Sequence, residues 1–257
     1  MNDKPSHAPH VRALSALLAA GALSLAAGCA SVPPHSTPDP RDPFESYNRG
    51  MTRFNDAVDD AVLKPVATGY KAVVPSFIRT GVGNFFANLG DAWSMVNNAL
   101  QGKGEHFGDS MGRVMVNSFI GIGGLFDVAT EAGIPRHRED FGQTLAVWGV
   151  PSGPYLVLPL LGSSTVRDTA ALPVDSKGNP WRYVHDVRWR NSGTALFLVD
   201  TRSRFLDAGD LINDAALDPY TFKRDFYLQK RNSDIYDGYP PDSGERYDLP
   251  EGDTSAP

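Results

Sequence analysis

Between Phe141 and Val166 the chain carries no charged side chain, a run of 26 positions in a protein whose residues are 21% charged. At that frequency a run of this length arises by chance, from any given start, with a probability of order one in several hundred. The stretch therefore belongs in an apolar setting. It cannot be one continuous helix, because Pro151, Pro154 and Pro159 each remove a backbone donor, and Gly149, Gly153 and Gly162 free the backbone between them. A second neutral stretch, Val114 to Phe126, ends in Gly121, Gly123, Gly124, Leu125 and Phe126. Two readings stay open for these segments. One is a buried core hairpin. The other places them at membrane depth, packed against other helices and enclosing a space, since irregular backbone is tolerated in hydrocarbon only where protein covers it or where it lines a cavity.

The only cysteine in the chain, Cys29, follows an apolar run that ends Leu25, Ala26, Ala27, Gly28. A secretory signal has a basic start, an apolar core of about 7 to 15 residues and a small-residue cleavage site. Lys4, Arg12 and the run from Ala13 to Ala27 supply all three, and small residues leading into a cysteine form the pattern of a bacterial lipoprotein signal. The thiolate is the nucleophile that takes the diacylglyceryl group before cleavage. Residues 1–28 are thus read as signal and Cys29 as the lipidation site. Residues 29–42, with Pro33, Pro34, Pro38 and Pro40, read as an extended tether. After the signal no apolar run reaches the roughly 18 residues that a membrane-spanning helix needs. Three acyl chains, at about 0.8 kcal/mol per buried methylene, anchor the protein without one. Ala30 and Ser31 follow the cysteine where an aspartate retains enterobacterial lipoproteins at the inner membrane, so the outer membrane is the expected location.

The folded part is expected over residues 43–236. Asp42, Pro43 and Glu45 combine an N-cap, a proline at the first helical position and a capping-box acid. Phe44, Tyr47, Met51, Phe54, Val58 and Val62 then recur every three or four residues, which predicts an amphipathic helix over 43–63. Further helices are predicted over 77–89, 91–101, 105–119, 139–148, 164–171, 194–216 and 219–232, the last behind Asp218 and Pro219. Alternating strand patterns are scarce. The fold class is all-α, a single compact domain of amphipathic helices with a glycine- and proline-rich hairpin segment, and residues 237–257 form a disordered acidic tail.

The formal net charge of −6 disfavours nucleic acid as a partner. Trp181, Arg182, Tyr183, His185, Arg188, Trp189 and Arg190 alternate rings and cations, which suits either a lipid headgroup interface or a solvated surface loop. Gly108, Asp109 and Ser110 resemble the serine block of GDS esterases, but neither His137 nor His185 has the aspartate three places earlier that those enzymes need, and no Gly-x-Ser-x-Gly elbow exists. His106, His137 and His185 form no metal-binding spacing, and the glycines around Gly121 lack the Lys and Ser/Thr of a phosphate loop. The reading is a protein without catalytic residues, metal or cofactor.

One further pattern joins these segments. The block Asp42, Pro43, Phe44, Glu45, Ser46, Tyr47, Asn48, Arg49, followed by Met51, Phe54 and Asn55, resembles the opening of the MlaA (VacJ) family of phospholipid-transport lipoproteins. Lys64-Pro65-Val66, Asn84-Phe85, Met95-Val96-Asn97, Gln101-Gly102, Gly121 to Asp127, Phe141 to Leu145, Gly153 to Gly162, and Asp218-Pro219-Tyr220 continue the match in order. The resemblance implies a helical ring in the inner leaflet of the outer membrane, enclosing an amphipathic channel. It implies removal of mislocalised outer-leaflet phospholipid, association with a trimeric porin, and delivery to the periplasmic carrier MlaC. By the same analogy Gly121, Gly123, Gly124, Leu125 and Phe126, with Tyr155, Leu156, Val157 and Leu158, are the candidates for a hairpin and channel wall. Alternatives are a structural lipoprotein that scaffolds porins and, less favoured, an envelope esterase acting through Ser110. If the anchor places a channel at leaflet depth, Cys29→Ala abolishes clearance of outer-leaflet phospholipid; a variant that still clears it would show the anchor to be dispensable.

Overall fold

The computed structural model describes residues 39–207 and 216–241. Cys29, the signal, most of the tether, and the tail beyond residue 241 lie outside the described residues. The chain opens with helix α1 (Glu45–Val58), which runs through a π turn (Asp59–Leu63) into α2 (Lys64–Val73). Pro65, which has no N–H to give the preceding turn, follows directly on the π turn, where Lys64 N reaches back to Asp59 O. Pro75 then forces extended backbone at Val74 and ends that rod. Next comes α3 (Ser76–Leu100), a single helix of 25 residues where two were predicted. Gly90, which marked the predicted break, sits in open space and is simply absorbed. Gly102, at φ +74°, stops the helix in a Schellman turn, with Lys103 N bonded to Asn98 O and Gly102 N to Ala99 O.

Helix α4 (Gly104–Phe119) packs along α3 and leads through the glycine run to the short α5 (Val128–Glu131). Helix α6 (Phe141–Val147) starts in a capping box between Asp140 and Gln143. The neutral stretch then folds into an antiparallel hairpin, β1 (Tyr155–Leu158) and β2 (Gly162–Thr165), the only sheet among the described residues. Helix α7 (Val166–Gly178) continues past Pro173 rather than ending before it, and a 3₁₀ turn (Pro180–Tyr183) joins it to α8 (Val187–Arg204). The last element is α9 (Pro219–Ile235), whose start matches the sequence signal, with Asp218 capping Tyr220 N.

Polarity is inverted in this fold. Among the described residues, twenty buried side chains are polar or charged and seven are hydrophobic, so the interior is polar. Along α3 the buried positions are Asn88, Asp91, Ser94, Asn97 and Asn98, and on α4 they are Ser110, Arg113 and Asn117. Those spacings of three and four are helical, but the face they define is hydrophilic. On α1 the ends of the apolar stripe face outward: Tyr47 and Phe54 are exposed, Met51 is half-buried against the hairpin, and Asn48 is fully buried. Single exposed apolar residues are ordinary; a systematic exchange of faces is not, and it matches immersion in an apolar medium.

At the centre stands Arg113, 1% exposed. Its guanidinium donates to Asp91 at 3.2 Å, to Asp127 at 2.7 Å and to the Ile134 carbonyl at 2.6 Å. Arg136 bridges the same two carboxylates at 3.1 and 3.3 Å, closing a ring of two arginines and two aspartates. Burial pushes the Asp127 carboxyl up, but hydrogen bonds from Thr130 and Asn117 and the charge of Arg136 outweigh it and hold the group below its usual range. A second ionic cluster ties α9 to α6 and α7. Arg231 pairs with Asp140 at 2.6 Å and with Asp168 at 2.9 Å, and its charge helps hold Asp168 ionised against the cost of burial.

Asp42 is not an N-cap. Its carboxylate is buried and accepts from Asn48 at 2.8 Å and from the Tyr220 hydroxyl, which spends on α9 the oxygen expected to cap α1. Asp39, expected in the tether, pairs with Arg41 and Arg224; the Arg41 hydrogen bonds lower its carboxyl to about 2. Asn48 and Asn55, seven residues apart on one face of α1, act as a third strand for the hairpin. Asn48 donates to Tyr155 O and accepts from Val157 N; Asn55 donates to Leu158 O and accepts from Leu160 N. Each amide satisfies one edge carbonyl and one edge N–H that the two-stranded sheet leaves open.

The run from Gly121 to Phe126 is a closed turn held by its own backbone: Gly123 N to Ser118 O, Gly124 N to Asn117 O, and Phe126 N to Gly121 O, all within 2.8 to 2.9 Å. At Gly121 an added Cβ would lie 2.2 Å from Phe126 O and 2.5 Å from Asn117 O, both backbone atoms that cannot yield. Gly123 faces open space but has φ +67°. These geometries separate two substitutions. Gly121→Ala is expected to disrupt the turn and speed proteolysis there sharply, whereas Gly123→Ala costs about 1–2 kcal/mol, the ordinary penalty for a left-handed side chain. For the charge ring, Arg113→Met strands Asp91 and Asp127 and is expected to cost about 3–5 kcal/mol of stability in chemical unfolding of the detergent-solubilised protein; a loss under 1 kcal/mol would show the ring to be incidental.

Candidate functional site: two apolar clefts divided by Leu125

The closed glycine turn projects Leu125 and Phe126 outward against the start of α3. Asn84 donates to Leu125 O at 3.2 Å, and Gly81 packs against the same residue with no side chain between. One cleft, of about 940 Å³, is walled by Phe77, Ile78, Gly81 and Val82 of α3, by Leu125 and Phe126, and by Val128, Thr130 and Glu131 of α5. A narrower slot of about 270 Å³ opens on the other side of Leu125, between α3 and α8, with Phe85, Phe86, Trp181, Trp189, Gly193 and Leu196 in its walls. Val82 and Leu125 belong to both. Around the clefts the surface stays apolar, with Val73 at 81%, Phe77 at 74% and Phe119 at 83% exposure.

Behind Phe126 in the chain comes Asp127, which lines the wide cleft and is also the carboxylate that joins the Arg113 ring. Apolar wall and buried ionic network are thus one residue apart. Among the described residues no helix is long and apolar enough to cross a membrane, and no group of His, Cys, Asp and Glu is arranged to hold a metal.

The sequence candidates divide into two groups. Gly121 and Gly124 are buried supports of the turn, Gly123 supplies its left-handed corner, and Leu125 and Phe126 line the wide cleft. Tyr155, Leu156, Val157 and Leu158 lie elsewhere and line neither cleft. Tyr155 and Val157 point into the core beside Tyr220, with Tyr227 and Met51 packed on them, while Leu156 and Leu158 alternate to the other face, half-buried. The neutral stretch divides by strand alternation and by position: Thr144, Tyr155 and Val157 are buried, as the core reading expects, whereas Trp148, Leu160 and Leu161 are exposed.

Ser110 is buried, its hydroxyl accepting from Asn98 at 3.2 Å, and His137 pairs with Asp109 rather than with it. The segment 181–190 is only in part a loop: residues 184–186 join the 3₁₀ turn to α8, Asp186 caps that helix, and Trp181 packs against Phe85 and Phe86. Sequence reasoning missed Phe77, Ile78, Val82 and Phe86 as cleft residues. Their signal was present as an apolar helical stripe, but such a stripe reads as core until the opposite face proves to be the buried one.

Known proteins share this architecture. The model of the MlaA lipoprotein family matches residues 40–234. The Escherichia coli K12 protein named intermembrane phospholipid transport system lipoprotein MlaA is 35% identical over 197 residues, covering 74% of this chain and 77% of its own length. Its Haemophilus influenzae namesake is 31% identical over 238 residues, covering 88% and 90%. An uncharacterized Rickettsia felis protein is 34% identical over 195 residues, covering 76% and 78%. A solved structure reported under "Structural basis for maintenance of bacterial outer membrane lipid asymmetry" superposes with a TM-score of 0.67 at 34% identity, covering 76% of this chain and 98% of that one. With the family model spanning three quarters of the sequence and the fold shared, the chain belongs to the MlaA lipoprotein family.

Proposed function

We propose that this protein removes mislocalised phospholipid from the outer leaflet of the outer membrane along an amphipathic path and passes it to a periplasmic lipid carrier, maintaining the asymmetry of that membrane. The observation that carries this reading is the inverted polarity. A helical protein that exposes Phe77, Phe119, Phe126 and Leu161 while burying Arg113, Asp91 and Asn98 suits hydrocarbon outside, with its polar groups paired within. Lipid tails need apolar walls, which the two clefts at Leu125 supply. Headgroups need polar partners, and Asp127, Thr130 and Glu131 line the wide cleft beside its apolar wall. The names and the structural likeness reported for the relatives support the same activity.

The remaining elements of the proposal rest on the family. Cys29 carries the anchor, a trimeric porin positions the protein, and MlaC receives the lipid. The helices form the ring around the path, and nothing in the path spends energy, so direction comes from the partners. The glycine turn is the proposed wall at the mouth, where Leu125 faces both clefts.

Native lipidomics of the purified protein is expected to find bound phospholipid, and deletion of the gene to raise outer-leaflet phospholipid; failure of both would sink the conduit reading. Leu125→Asp places a carboxylate between two apolar clefts at a surface position, a cost of at least 1–2 kcal/mol for a passing acyl chain, so clearance is expected to fall about tenfold or more. Thermal unfolding should be little changed, because the hydrogen bonds of Leu125, from its N–H to Ile122 O and from Asn84 to its carbonyl, are main-chain ones that the substitution keeps. Unaltered clearance by a folded, membrane-bound Leu125→Asp would move the path away from this turn.

A further inference from the structure

We propose that the narrow slot between α3 and α8 is a second acyl-chain site: one fatty-acyl chain of a two-chain glycerophospholipid occupies it while the other lies in the wide cleft, with Leu125 as the divider. This rests on the conduit reading and specifies how that site takes its lipid. The sizes fit the division. Pockets for whole small-molecule ligands span roughly 300–1,000 Å³, so the wide cleft, about 940 Å³, holds a large ligand portion, whereas the slot, about 270 Å³, suits a single chain. The slot adjoins the wide cleft across Val82 and Leu125, which line both, so a two-chain molecule straddling Leu125 can reach both.

Its walls are built rather than left over. Trp181 meets Phe85 edge-on at 5.9 Å and Phe86 at 5.5 Å, and Phe86 packs on Phe197 at 4.9 Å. The Trp181 indole N–H donates to Arg190 O at 3.0 Å, so the ring offers the slot apolar surface without an unmet donor. Gly193 makes this approach possible: a Cβ there would fall 2.0 Å from the Trp181 ring. Ser192 carries the only side-chain hydroxyl in the lining. At the rim, Trp189 is 72% exposed on the first turn of α8, flanked by Arg188 and Arg190. An aromatic ring between cations suits the level where acyl chain meets phosphate.

The test uses the full-length protein in detergent, loaded with a phosphatidylglycerol brominated at mid-chain on both acyl chains or with its brominated single-chain lyso form. Bromine quenches only indoles that it touches. All measurements are made in a Trp189→Phe background, which removes the exposed ring and keeps the wall apolar, and the Trp181 component is the difference from the same protein carrying Trp181→Phe. Mass spectrometry counts bound lipid in parallel. The two-chain lipid is expected to quench the Trp181 component by about half or more. The lyso form binds without quenching it, and Ser192→Phe, which fills the slot, removes the quenching while lyso binding persists. Two-chain lipid bound with Trp181 unquenched, or quenching untouched by Ser192→Phe, overturns the slot and leaves the conduit standing. If neither lipid binds, both the slot and the conduit fall.

Discussion

The ring of Arg113, Asp91, Arg136 and Asp127 is the constraint on which the rest depends. Burying a charge is tolerated only when opposite charge and hydrogen bonds surround it, and here each group comes from a different piece of chain: Asp91 from α3, Arg113 from α4, Asp127 from the start of α5, and Arg136 from the segment before α6. No one of these pieces can move without exposing an unpaired charge to a closed interior. The consequence reaches the surface. With the inward faces of α3 and α4 committed to polar partners, their apolar residues are left pointing out, and the glycine turn joining α4 to α5 is held where Leu125 and Phe126 overhang the start of α3.

That arrangement explains why glycine is needed where it is. Gly121 and Gly124 let the turn close against Phe126 O and Asn88, and Gly83 and Gly193 admit the Arg204 guanidinium and the Trp181 ring between helices. The contact of Gly193 with Trp181 is itself a wall of the slot, and the closed turn carries Leu125 and Phe126 into the wall of the wide cleft. The glycines fit close approach of backbones, and three main-chain hydrogen bonds inside the turn make it a fixed rim in this structure.

Membership of the MlaA lipoprotein family and the inverted polarity point the same way. A protein that bridges an apolar membrane and polar headgroups needs both surfaces within a few ångströms, and the consecutive residues Phe126 and Asp127 achieve it, one lining a cleft and the other neutralising Arg113. The Asn48 and Asn55 brace gives the hairpin a similar economy, since two amides replace a missing strand.

Much was legible in the residues. Helix starts were readable at Asp218-Pro219 and Asp140 because capping is local chemistry, complete within four residues. The glycine run, the neutral stretch and the membership of an ordered motif series were likewise visible along the chain. What the pattern could not show is which face of a helix is buried. Periodicity at Tyr47, Met51 and Phe54 defines an apolar stripe but not its side, and the polar period at Asn88, Asp91, Ser94 and Asn98 is equally regular. Local rules also failed where a distant partner competed: Asp42 had the form of a cap, yet Tyr220, 178 residues away, took its carboxylate. Gly90 and Pro173 had the form of breaks, yet packing carried α3 and α7 through them. The sequence by itself thus determined helical content, the cap at Asp218, the places where glycine is needed and the family. Only the tertiary structure decided which side faces inward, because that choice belongs to charges such as Arg113 and Asp91 that meet across elements, and no periodicity within one helix records its partner in another.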